Sequence, residues 1–237
     1  MEHEHTADAI RARLAEGPPL SYLRDWVYGG IDGSVTTFAV VTGVVGAELA
    51  TKAIIILGVA NLIADGFSMA ASNFLGTRTE RQEFDALRAQ EARHIDADPD
   101  GEREEVRQIF AAKGFAGDDL ERAVSVMTSD RERWIRFMLA EEFGMPMQIR
   151  SAAKAALSTF AAFLLCGLVP LLPFVLHTSH ALAASVTMTL AVFFAVGSTR
   201  SAWLKTSWWR AGAETLLIGS GAAALAYGAG VVIGALV

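Results

Sequence analysis

Apolar residues along this chain gather into five long blocks. They run Trp26–Gly46, Ala53–Gly76, Ala155–Leu176, Ala181–Thr199 and Ala211–Val237. Each can cross a bilayer as a helix, which takes about 20 residues. Two of the breaks, Ala47–Lys52 and His177–His180, are short enough to be tight turns. The break after the second block is different: it is long, polar and patterned for helices. Thr77–Ile95 is rich in Glu, Arg, Ala and Gln without Gly or Pro, which predicts that the second block's helix continues into water. Asp98-Pro99-Asp100-Gly101 predicts a turn. Glu102–Lys113 predicts a second helix ended by Gly114. A third, capped by Asp118 or Asp119, is predicted to reach Phe143 ahead of Gly144 and Pro146, with Val124, Met127, Trp134, Met138 and Leu139 at helical spacing. No β alternation is present. The expectation is an all-α membrane protein. It has an N-terminal segment (1–25), transmembrane helices 1 and 2 (26–76), a cytoplasmic three-helix insert (77–150) and transmembrane helices 3 to 5 (151–237).

Charge sharpens this division. Of 20 Lys/Arg and 26 Asp/Glu in the 237 residues, 13 and 17 fall between Thr77 and Ala156, so most of the charge sits in a third of the chain. Lys/Arg placement orients the spans. With the N-terminus inside, Arg11, Arg13, Arg24, the insert's basic residues, Arg200, Lys205 and Arg210 are cytoplasmic, and only Lys52 is outside. The C-terminus then faces out. Trp26, Tyr28, Trp208 and Trp209 sit near span ends, where amphipathic rings belong. The net charge of −6 argues against nucleic-acid binding, which needs a concentrated basic face. Cys166 has no partner for an internal disulfide and reads as packing. Met1–Asp25 shows no signal-peptide pattern. His3 and His5, among Glu2 and Glu4, fit a solvated tail over Met1–Ile10 better than a metal site. Gly230 and Gly234 have small-residue packing spacing, a weak signal in so Gly/Ala-rich a helix.

Two carboxylates lie inside the apolar blocks. Asp32 is set among Gly29, Gly30 and Gly33, with Thr36 and Thr37 one turn on. An ionised Asp in the hydrocarbon costs a few kcal/mol or more, so it faces a partner, a cavity or a pathway. In the second block Asn61, Asp65, Ser68 and Ser72 recur every three or four residues and share a helix face, with Asn73 and Met69 beside them. Ser and Thr alone would read as helix glue. Two aspartates with no matching Lys or Arg favour a transport pathway, and the Met69 thioether favours a transition metal over Mg2+ or Ca2+. Glu214, a turn from Arg210, reads equally well as an interfacial ion pair.

Acids in the insert also recur at helical spacing: Glu80/Glu83, Glu91/His94, Glu102/Glu105, and Met138 with Glu141 or Glu142. Such oxygen-rich clusters with one His and one Met suit Fe2+, Mn2+, Co2+ or Zn2+. Glu91-x-x-His94 has the spacing of di-iron bundles, but a di-iron centre needs two such motifs and the insert has one. The basic residues of the same segment could neutralise most of these acids. A metal site and a solvated face therefore stand level.

Tyr28-Gly29-Gly30-Ile31-Asp32-Gly33-Ser34-Val35-Thr36-Thr37 and Asn61-Leu62-Ile63-Ala64-Asp65-Gly66-Phe67-Ser68-Met69-Ala70 resemble the vacuolar iron transporter family. The order of elements matches from about residue 20 onward. The resemblance implies exchange of Fe2+, often also Mn2+, for protons by a homodimer whose pathway lies between its first two spans. It assigns Asp32 and Met69 to that pathway. It assigns Glu91, Glu102, Glu105, Met138 and Glu142 to metal binding by the insert, with His94 where the family usually has glutamate. The metal is cargo, and no permanently bound cofactor is implied. The compact chain suits a bacterial plasma membrane. Two other readings compete: a membrane-anchored di-iron ferroxidase, and a metal-binding sensor, which would leave Asp32 and Asp65 without a reason.

Overall fold

The computed structural model describes residues 4–17, 19–146, 148–201 and 206–236, and in these it is helical with no strand. His3, Lys205 and the last residue of the fifth block, Val237, lie outside the described residues. Two compact units emerge. One is Pro19–Gly76 with Ser151–Val237, and the other is Met1–Pro18 with Thr77–Arg150.

The first unit holds the apolar blocks. Its elements are α2 (Leu23–Gly46), residues 51–76 of α3 (Thr51–Ala97), α7 (Ala152–Leu168), the short α8 (Leu172–Val175), α9 (Ala181–Thr199) and α10 (Trp208–Leu236). Five helices are long and apolar enough to cross a membrane, α7 and α8 counting together. The third block is not one regular helix. Pro170 and Pro173 cannot donate to the helical ladder, and a 3-10 turn at Val169–Leu171 separates α7 from α8. Helix α2 is central, packing on α7, α9 and α10. The glycines beside Asp32 permit that packing. A Cβ at Gly29 would fall on the Thr159 carbonyl, and one at Gly33 on the carbonyl of Phe163. Both glycines therefore permit close helix contact. Val41, Val44, Ile54, Leu62, Phe163, Leu171 and Phe174 form the core. Arg24 lies over the Tyr28 ring at 5.2 Å and Arg210 over Trp209 at 5.3 Å. Glu214 pairs with Arg200 at 3.3 Å, across α9 and α10, and not with the Arg210 of its own helix.

The second unit is built from α1 (Ala7–Glu16), residues 77–97 of α3, α4 (Pro99–Ala112), α5 (Gly117–Thr128) and α6 (Arg131–Glu141). Four sequence expectations change here. Residues 7–10, expected in a tail, are the first turn of α1, whose cap Thr6 accepts from the Ala9 amide. The expected turn at Asp98–Gly101 is a helix start: Asp98 caps α4, accepting from the Gly101 amide at 3.0 Å, and Pro99 takes the first position, where a missing N–H costs nothing. The expected third helix is two, because Asp130 accepts from the Arg133 amide at 2.7 Å and begins α6 anew. The expected three-helix insert thus comprises the end of α3 and three further helices. Neither Asp118 nor Asp119 is the cap of α5; both lie in its first turn, where negative charge offsets the helix dipole. Ile95, Val106, Val124, Trp134, Ile135, Met138 and Leu139 form this unit's own core.

Candidate metal sites

In the helical insert, ion pairs sort the acids into two sets. Arg88 binds Glu132 at 2.8 Å and Arg131 binds Asp96 at 2.7 Å. Arg107 binds Glu121 at 2.9 Å as well as Glu104, and Lys113 binds Glu141 at 2.6 Å. These are surface pairs of small energetic worth. Their effect on the site is to hold Arg88, Arg107, Lys113 and Arg131 to other acids.

The second set is Glu91, Glu102, Glu105 and Glu142. Glu91 and His94 lie a turn apart on α3, Glu102 and Glu105 a turn apart on α4, and Glu142 caps the end of α6. Among the described residues, Glu91, His94 and Glu102 form the one group of three such side chains whose ligand atoms all lie within 4.8 Å of one another. Glu91 is 1% exposed and Glu102 7%. His94 Nδ1 stands 3.4 Å from Glu102 Oε1. Glu91 Oε1 and Glu102 Oε2 are buried without a hydrogen-bond partner. A buried carboxylate oxygen so stranded is costly unless a proton or cation meets it.

The electrostatics agree with the geometry. Burial pushes the Glu91 carboxyl from its ordinary 4.5 up to about 8, helped by the charge of Glu102 and then by those of Glu142 and Glu105. Burial and then Glu102 raise Glu105, while His94 opposes the rise. Glu142 is raised by burial, then by Glu105 and Glu102. Glu105 and Glu142 thus act on the same place, though they fall outside the group of three. Met138 is fully buried in the neighbouring apolar core. Glu80 and Glu83, also singled out by spacing, are exposed and take no part in the group.

In the apolar unit, Asp32 is half-buried on α2 and Asp65 exposed on α3, close enough to interact electrostatically. Asn61 Nδ2 donates to Thr36 Oγ1 at 3.3 Å, and Thr36 donates to the Asp32 carbonyl at 2.9 Å. That chain of bonds ties the two helices beside Asp32. A groove of 530 Å³ between them is lined by Val40, Gly43, Val44, Leu57, Ala60, Asn61, Ala64 and Asp65. Met69 is half-buried and leans on the core. The sequence reading passed over one polar cluster. Asp25, 2% exposed on α2, accepts from Asn73 Nδ2 at 2.9 Å, and the same amide reaches Thr159 Oγ1 at 2.7 Å. This network joins α2, α3 and α7. Its only sequence signal was an acid at the edge of the first apolar block.

The model of the VIT family matches residues 23–231, nearly the whole chain. The chain belongs to the VIT family. Among its VIT relatives is vacuolar iron transporter 1 of Arabidopsis thaliana, 29% identical over 208 residues, 86% of this chain and 83% of that protein. Vacuolar iron transporter 2 of Oryza sativa subsp. japonica is also 29% identical, over 209 residues, covering 87% and 85%. The vacuolar iron transporter of Toxoplasma gondii is 31% identical over 157 residues, 65% of this chain and 52% of the other. All three names are those of transporters rather than enzymes.

Proposed function

We propose that this VIT-family chain is an iron transporter that exports Fe2+, with Mn2+ as a second cargo, from the cytosol in exchange for protons. It is a transporter rather than an enzyme. The observation that carries the metal reading is the pair of buried, unpartnered carboxylate oxygens of Glu91 and Glu102 beside His94. Ferroxidase chemistry would call for a second Glu-x-x-His motif, and the insert has one.

In this reading the five apolar helices span a bacterial plasma membrane, with the N-terminus and insert in the cytosol and the C-terminus outside. The insert gathers metal at Glu91, His94, Glu102, Glu105 and Glu142, with Met138 as the candidate thioether. The ion then passes to Asp32 and Met69, flanked by Asp65, Asn61 and Thr36, in a pathway shared by two protomers through spans 1 and 2. A carboxylate holds a proton or a metal, but not both well. A proton entering from outside therefore competes for Asp32 and releases the metal there.

Fe2+ flux into proteoliposomes under an imposed pH gradient tests this, with internal pH read simultaneously. Flux that moves protons the opposite way, and that falls about tenfold or more in Asp32→Ala, is expected if the carboxylate carries the ion through the membrane. Unaltered flux in Asp32→Ala overturns the pathway assignment.

A further inference from the structure

The donors gathered around Glu91 are of two kinds. Glu91 and Glu102 present oxygens from inside the helical unit. His94 presents an imidazole from the solvent side, its side chain 51% exposed. It is no bystander on the rim. Its Nδ1 is 3.4 Å from a Glu102 oxygen, and it lies close enough to Glu105 and Glu142 to interact with both electrostatically. An ion seated between the two buried carboxylates would therefore meet the imidazole as its outer ligand.

Donor type decides which ion is held. Carboxylate oxygens alone suit Mg2+, Ca2+ and Mn2+, whereas an imidazole moves preference along the divalent series toward Fe2+, Co2+ and Zn2+. We propose that His94 is the specificity-determining ligand of the insert, ranking Fe2+, Co2+ and Zn2+ above Mn2+ at the intake step. This rests on the insert being a metal site, as argued above. It adds a rank order that burial and charge alone do not give.

Co2+ and Mn2+ serve as air-stable probes. The full chain carries Asp32→Ala, so that the insert dominates binding, and is titrated calorimetrically at one fixed pH with and without His94→Glu. The expected result is a Co2+-to-Mn2+ affinity ratio that falls about tenfold or more when nitrogen is exchanged for oxygen. An equal ratio in both proteins, with both metals bound, overturns the proposal while leaving the metal site standing. If the protein with His94 intact binds neither metal, the reading of the site itself falls, and this proposal with it. Pulsed EPR of that Mn2+-loaded protein decides the case independently of whether His94→Glu folds. Nitrogen hyperfine coupling from the imidazole is expected, and its absence at saturating Mn2+ also overturns the assignment.

Discussion

Glu91 is almost wholly buried, and Glu102, Glu105 and Glu142 all act on it. Its carboxyl is pushed from 4.5 to about 8, so the metal-free folded state holds a proton that the unfolded chain has given up. The sign follows from linkage. The protonated group's contribution is fully present below about pH 4.5 and is lost as the pH rises through about 8. In chelator-treated protein, Glu91→Gln should then match the unsubstituted protein in melting temperature at low pH and exceed it increasingly toward pH 8. Thermal unfolding across that range, in detergent, measures the difference. A difference that stays constant with pH would contradict the assignment. Glycines provide a second test at this scale. Gly29→Ala drives a methyl into the Thr159 carbonyl and should lower the melting temperature by several degrees, since overpacking costs about 1–3 kcal/mol. Gly221→Ala on α10 meets nothing within 4 Å and should be neutral or slightly stabilising.

Helix α6 carries Met138 and ends at Glu142, so the site depends on how that helix is started and held. Asp130 caps it, and Arg131 and Glu132 in its first turn bind Asp96 and Arg88 on α3. Asp130→Ala should cost about 1 kcal/mol and speed amide exchange in α6 more than in α4. Hydrogen-exchange mass spectrometry reads this directly, and equal change in both helices would show that the cap is not what holds α6. The same residues show what the sequence made legible. Ser129-Asp130 is a cap signal, but apolar spacing from Val124 to Leu139 runs on through it, and periodicity was the stronger pattern. Asp98-Pro99-Asp100-Gly101 carries turn-forming residues, but proline in the first helical position predicts a start equally well. The apolar blocks needed no such arbitration, because nothing competes with a long apolar run. The pairing of Arg200 with Glu214 was not legible. It spans two helices, and spacing along one chain says nothing about which helices are neighbours.

At the scale of the molecule, charge placement decides what each unit can do. In the insert, neutralisation was the open question, since the sequence held enough basic residues to cancel most of the acids. The fold turns Arg88, Arg107, Lys113 and Arg131 toward Glu132, Glu104, Glu121, Glu141 and Asp96, while the basic side chain beside the buried Glu102 is His94. In the apolar unit the problem is reversed. Asp65 and Ser68 are exposed on α3, a helix whose apolar part is mostly unburied, beside Ile63 and Phe67, which are also exposed. A carboxylate facing hydrocarbon costs a few kcal/mol or more, so a single copy in lipid would be penalised at Asp65. A second copy covering the same face would remove that penalty and enclose the 530 Å³ groove that Asp65 lines. Cysteine cross-linking in native membranes separates the two states. With the buried Cys166 replaced by Ala, Ala64→Cys in the groove should give a disulfide-linked dimer on mild oxidation. Leu217→Cys, 73% exposed on α10, should not. Dimer from Leu217→Cys alone would move the interface to the opposite helix and leave Asp65 to be explained by some other cover. Dimer from Ala64→Cys, lost in detergent dilution before oxidation, would fit an isologous contact in which each Asp65 faces its symmetry mate across the pathway.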